Sequence, residues 1–219
     1  MFRQFAQISL VLSLITSYTF NTNASILSKE NGSQSIEGVK VSKTANLEVQ
    51  NQKIGMDLVG AGLRGKKVLF TQVKVYVAEL FSSDASQFIR TKKEALTSFD
   101  KSRTTAIRLT FLRSVDAETV QTSFRDALDA NAIDTESKQM STFLNAVNNG
   151  GEAVNGQSMI IATQKNADKT ETVYYEDTQG HLKTVQGPQG FAKEIMAIWL
   201  GEAADPGISE LQNQILLRP

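Results

Sequence analysis

The segment Gly60–Phe81, GAGLRGKKVLFTQVKVYVAELF, constrains the fold of this chain more than any other. Three spaced glycines, a basic cluster and a long strand-like run follow one another without a break. The glycines spell GxGxxG (Gly60, Gly62, Gly65), and Gly65-Lys66-Lys67 nearly completes a phosphate-binding loop. Either nucleotide site requires a helix directly after the glycines, because the helix N-terminus supplies the amides and dipole that hold phosphate. Val68–Phe81 is instead rich in β-branched and aromatic residues and carries no helix start. Lys67 also stands where a magnesium-binding hydroxyl is needed. The glycines are therefore read as a tight bend or bulge feeding a central strand.

That strand is far longer than the usual ~5–6 residues. Strict alternation puts Leu69, Thr71, Val73, Val75, Val77 and Phe81 on one face. Val68, Phe70, Gln72, Lys74, Tyr76, Ala78 and Leu80 fall on the other. The first face is almost wholly apolar, with the Thr71 hydroxyl near its start, and Arg64 sits just upstream beside Lys66 and Lys67. A positive group at the rim of an apolar surface suits a ligand with one acidic end and an apolar body. The same pattern also describes a buried strand with solvated basic flanks.

The first 24 residues have the layout of a secretory signal: Arg3, an uncharged apolar core over Ile8–Phe20, and small residues at Thr22-Asn23-Ala24. That core falls short of the roughly 20 residues a permanent span needs, and no second run of its length follows. The expectation is export to the periplasm or beyond, with no stable membrane span after cleavage. With no cysteine, disulfides, thiol chemistry and a lipid-bearing Cys are all excluded. Removing Arg3 takes 23 basic against 23 acidic residues to 22 against 23, a formal charge of −1. Nucleic-acid binding thus has no electrostatic footprint.

With 41% hydrophobic residues the chain can bury one real core. Residues 25–39 are polar and read as a flexible leader to a domain over residues 40–219. Short strands are expected over Ala45–Gln50 and Gly55–Leu63, then the long one. Asp84–Phe99 has the spacing of a thin helix, and Thr104–Leu112 alternates as a strand. Asp116 can cap a helix bearing Val120, Phe124, Ala127 and Leu128. A second helix from Asp134 carries Met140, Phe143, Leu144 and Val147, with Gly150 as a left-handed cap. Gln157–Gln164, Thr170–Glu176 and His181–Val185 form a meander. Two last helices open at Pro188, with Phe191, Ile195, Ile198 and Trp199, and at Asp205-Pro206, with Ile208, Leu211 and Ile215. The pattern is α+β, a large antiparallel sheet with helices on one face.

Taken together, Gly60-Ala61-Gly62-Leu63-Arg64, Phe70-Thr71, Lys74–Ala78, Ile107–Arg113, Trp199-Leu200-Gly201 and Asp205-Pro206-Gly207 resemble the chalcone isomerase-like family, in its exported bacterial branch. The resemblance spans roughly residues 40–217. It implies an open-faced β-sandwich of chalcone isomerase type, with a cleft between a large sheet and a helical layer. It also implies that Arg64 matches the family's arginine and Thr71 its strand threonine. In the family's enzymes these groups hold developing charge during a cofactor-free intramolecular cyclisation. Alternation sets Arg64 and Thr71 on opposite faces unless Gly65 bulges.

The enzymes' Tyr, Lys and Asn on the following helix fall at Thr119, Thr122 and Asp126, and Ser114–Ala130 holds no Tyr, Lys or Asn at all. Their last threonine falls at Ile208, beside Ser209. Chalcone isomerase activity is therefore not expected. The family also includes non-catalytic fatty-acid binders whose arginine meets the carboxylate, a task suited to a planar guanidinium. The leading expectation is an exported, non-catalytic binder of a small amphipathic acid, fatty-acid-like, through Arg64, Thr71 and Tyr76, with no cofactor and no metal. The alternatives are an intramolecular lyase using Tyr76 or Tyr174 as acid, and an envelope interaction module with a filled cleft. His181, the only histidine, reads as a solvated turn residue, and Glu171, Glu176 and Asp177 as solvent-facing charges. Arg108, inside a strand, requires an acidic partner or a cleft opening.

Overall fold

A computed structural model of the protein describes residues 25–68 and 71–217. The signal-like segment, Leu69 and Phe70 lie outside the described residues. Eight strands pair antiparallel in chain order: β1 (Leu27–Ile36), β2 (Val39–Val49), β3 (Gln52–Val68), β4 (Thr71–Ser82), β5 (Thr104–Phe111), β6 (Ser158–Lys165), β7 (Glu171–Glu176) and β8 (Leu182–Gly187). The helices are α1 (Ser98–Lys101), α2 (Ala117–Ala130), α3 (Lys138–Asn149), α4 (Phe191–Leu200) and α5 (Pro206–Leu216).

Period-two alternation distributes the sheet's side chains between two cores. Ile107, Leu109 and Phe111 of β5, Met159 and Ile161 of β6, and Val173 and Tyr175 of β7 meet the helices. Ala106, Ile160, Ala162 and Tyr174 face the other way, against Ile26, Leu47, Val49 and Met56. That second core exists because the sheet curls over itself. Ser42 N of β2 donates to Glu79 of β4 at 2.7 Å, passing over β3, and Ile26 N donates to Glu176 of β7 at 2.7 Å. On the helical side, the Phe124 ring meets Trp199 edge-on at 5.3 Å and stacks parallel to Phe143 at 6.3 Å. Such pairs contribute about 0.5–1.5 kcal/mol beyond the area they bury.

The fold is the expected α+β arrangement, with several local departures. Where composition predicts a flexible leader, Leu27–Ile36 forms the edge strand β1, registered on β2 from Leu27↔Leu47 to Ile36↔Val39. Asp84–Phe99 contains two single-turn 3₁₀ segments, Ala85–Gln87 and Ala95–Thr97, and the first residues of α1 in place of one helix. Its apolar positions are too few to cover a continuous helical face. Gly150 is right-handed at φ −73°, and Gly151, at φ +75°, makes the left-handed turn.

The GxGxxG segment is neither a turn nor a phosphate loop, because its glycines lie inside β3. A Cβ on Gly62 would stand 2.7 Å from Gln214 Cβ, and one on Gly60 would strike the Ile215 carbonyl. Both positions are bare so that α5 can lie directly on the strand.

Candidate functional site

A cleft of about 520 Å³ opens where β3–β5 meet α2, α4 and the start of α5, a size ordinary for a small-molecule site. Its walls are Val73, Val75, Phe111, Val120, Phe124, Ile198 and Ile208. Lys66, Arg113, Asp116, Thr119, Ser123 and Asp126 surround the mouth, exposed, so both signs of charge are present there.

Arg64 and Tyr76 reach this cleft together because they are directly opposite across β3 and β4. One step further, Gly65 pairs with Lys74, so Val75 is an extra residue on β4. The expected bulge therefore occurs at the Arg64/Gly65 step, but in the partner strand. It reverses the face assignment: Val73 and Val75 join Tyr76, Ala78 and Leu80 on the helical side, where strict alternation separates them. Thr71 pairs with Val68 at the end of the hairpin and is exposed. Five residues of strand, roughly 16 Å, separate it from Tyr76. Thr71 is absent from the cleft lining, so the structure groups Arg64 with Tyr76 and leaves Thr71 out.

Arg64 is buried, at 7% exposure. One guanidinium nitrogen, Nη1, donates to the Gly65 carbonyl, while Nη2 meets Asp205 Oδ2 at 2.5 Å. The other carboxylate oxygen of Asp205 accepts from Ile208 N at 3.0 Å and so caps α5. A Cβ on Gly207 would collide with Arg64 Nη1 and the Gly65 carbonyl, so the Asp-Pro-Gly turn is shaped to admit the arginine. Sequence reasoning finds Asp205 only as a helix cap. Its second role spans 141 positions and leaves no local signal.

Tyr76 is equally buried and its hydroxyl accepts from Trp199 Nε1 at 3.2 Å. Burial pushes its pKa up, against the pull of the Arg64 charge and the hydrogen bonds from Trp199 and Arg64. The group is thus a neutral phenol at physiological pH, able to donate. Asp116 at the mouth is held below the usual carboxylate range, chiefly by the Thr119 backbone N–H at 2.7 Å, with the Thr119 hydroxyl adding a second bond at 2.8 Å.

Of the three α2 positions named from the resemblance, Thr119 and Asp126 face the cleft, while Ser123 lines it in place of Thr122. None can supply a phenol or an ammonium. Ile208 is a wall residue, and Ser209 points elsewhere, accepting from Lys92 Nζ at 2.8 Å.

Tyr174 belongs to the opposite core and donates to Gln164 Oε1 at 3.1 Å, so it cannot act in the cleft. Arg108 has the partner its position demands, Glu79 Oε2 at 2.7 Å, and burial lowers its pKa. His181 is an exposed turn residue paired with Asp177 at 2.9 Å. The carboxylates read as solvent-facing are buried acceptors instead. Glu171 takes Ala192 N at 2.7 Å, Glu176 takes Ser25 Oγ at 2.6 Å and Ile26 N at 2.7 Å, and Asp177 takes Gln179 N at 2.8 Å. Among the described residues, no helix is long and apolar enough to cross a membrane.

A curled antiparallel sheet, one helical layer and a cleft closed by a buried arginine define the chalcone isomerase class of α+β fold. A model of the chalcone isomerase-like family matches residues 33–216, and the chain belongs to that family. Among solved structures it is similar to a fatty-acid binding protein of Arabidopsis thaliana, at a TM-score of 0.53 and 15% identity. The match covers 74% of this chain and 86% of that one. A search of curated protein sequences finds no match.

Proposed function

We propose that this chain is an exported, non-catalytic member of its family that binds a small amphipathic acid, fatty-acid-like, in the cleft. The observation that carries the reading is the Arg64–Tyr76 pair at the closed end of an apolar hollow. A guanidinium and a neutral phenol are two converging donors for a carboxylate, and the valines and phenylalanines beyond them offer surface to an alkyl chain. The fatty-acid binding named for the similar plant protein supports the same ligand class. Thr119, Thr122 and Asp126 stand where the enzymes carry Tyr, Lys and Asn. The α2 residues that line the cleft, Thr119, Ser123 and Asp126, offer neither a phenol nor an ammonium, which supports binding over catalysis. The layout of the first 24 residues supports export.

Titration of the purified protein with dodecanoate should show saturable binding. Arg64→Ala and Tyr76→Phe, checked for unchanged melting, should each weaken it by about tenfold, the scale of one charged hydrogen bond. Mass spectrometry of the organic extract should find co-purified acid. No binding by the wild type, or full affinity in both variants, would refute the reading. Expression in a secretion-competent bacterium should yield a chain beginning at Ser25, and retention of the first 24 residues would refute export.

A second reading has one observation in its favour: a neutral phenol beside a guanidinium could also hold an enolate. Turnover of chalcone or a related enone, lost in Arg64→Ala, would favour an intramolecular lyase over a binder.

A further inference from the structure

We infer that Asp205 is an internal competitor for the anion subsite of the cleft, and that it sets which head group the cleft accepts. The inference rests on the binding reading above. The Asp205 carboxylate is held as a ligand carboxylate would be, one oxygen at 2.5 Å from Arg64 Nη2 and the other at 3.0 Å from the Ile208 amide. It belongs to the chain, so it is always present at the guanidinium, and a free ligand must compete with that effective concentration.

The surrounding geometry keeps it there. Arg64 Nη1 is committed to the Gly65 carbonyl, and the guanidinium already fills the space that a side chain at position 207 would need. Asp205 itself is about one-third exposed, at 36% of its side chain, whereas Arg64 is at 8%. The mobile partner is therefore the acid. A carboxylate arriving through the cleft can displace Oδ2 from Arg64 while Oδ1 stays on the helix cap.

The rest of the cleft does not favour anions by itself. Arg64, Lys66 and Arg113 are balanced by Asp116, Asp126 and Asp205, three cations against three carboxylates. A second anion at the floor makes that three cations against four carboxylates, because Asp205 keeps its charge on the helix cap even when it releases Arg64. A neutral head, such as an alcohol, can use the Tyr76 hydroxyl without opposing any charge. Asp205 thus narrows the preference for carboxylates that Arg64 would otherwise impose.

The test compares two probes of equal chain length, dodecanoate and dodecanol, on the full exported chain. Asp205→Asn removes the charge but keeps a side chain that caps helices well, and Asp205→Ser is a second capping variant. Melting temperatures identify either variant that fails to fold. The ratio of dodecanoate to dodecanol affinity should rise about tenfold in the folded variants. An unchanged or lower ratio, with Arg64-dependent dodecanoate binding in the wild type, would overturn the role of Asp205 alone. Failure of wild type and variants alike to bind dodecanoate would remove the binding reading and this inference with it.

Discussion

Tyr76 and Tyr175 are two buried phenols with different surroundings. The Tyr76 hydroxyl meets Trp199 and lies beside Arg64, whereas the Tyr175 hydroxyl has no hydrogen-bond partner among the described residues. Burial raises the pKa of both, with the Asp177 charge adding to the rise at Tyr175. The fold therefore favours the neutral phenol, while the unfolded chain ionises near pH ~10. Their contribution is intact below that pH and is lost as pH rises beyond it. Tyr175→Phe removes a buried hydroxyl with no partner among the described residues, so its melting temperature at pH 7 should equal or exceed that of the wild type. Its decline between pH 10 and 11 should also be shallower. A loss of more than about 1 kcal/mol at pH 7 would show that the hydroxyl has a partner.

At the level of elements, the glycines of β3 matter because α5 lies directly on them. Gly60→Ala would drive a methyl group into the Ile215 carbonyl, and backbone cannot turn aside as a side chain can. A cost of about 1–3 kcal/mol is expected in urea unfolding, the range for an overpacked contact. Because α5 carries Ile208 in the cleft wall, dodecanoate binding should weaken too. Gly55→Ala in the same strand is the control, since its nearest neighbour, Asn46 Oδ1, is 3.8 Å away. Equal effects at the two positions would refute the packing account. The Val75 bulge belongs to this scale as well. One extra residue turns Val73 and Val75 to the face that holds Tyr76 and so makes the apolar wall continuous with the polar floor.

At the scale of the whole molecule, a buried ion pair sits where the sheet curls over itself. Glu79 is fully buried, bonds Arg108 Nη1 at 2.7 Å and accepts from Ser42 N at 2.7 Å, tying β2, β4 and β5 together. Glu79→Ala leaves Arg108 without its carboxylate and should cost about 3–5 kcal/mol in urea unfolding. Adding Arg108→Met to Glu79→Met should recover much of that loss, because apolar replacements of a buried pair are often tolerated. A Glu79→Ala variant as stable as the wild type would show that the pair does not hold the curl.

What the chain by itself determined is what short-range pattern can encode. The strands over Thr104–Leu112 and Gln157–Val185 follow from period-two alternation, and the helices after Asp116 and Asp205 follow from caps and apolar spacing. The family is legible in the Gly60–Arg64 block and the Asp205–Gly207 turn. Tertiary structure decided the rest. Polar β1 carries few apolar residues, and it is a strand because β2 offers a free edge. Glu171, Glu176 and Asp177 look like hairpin surface, and only the folded chain shows the backbone amides they accept from. Parity along the strand places Thr71 on the apolar face, and chain order places Arg64 at its rim. A bulge resets parity, and the partner of a charge is chosen by contact in space, across 141 positions of chain in the case of Asp205. Alternation and capping are properties of neighbours along the chain, whereas the site is a property of neighbours across it.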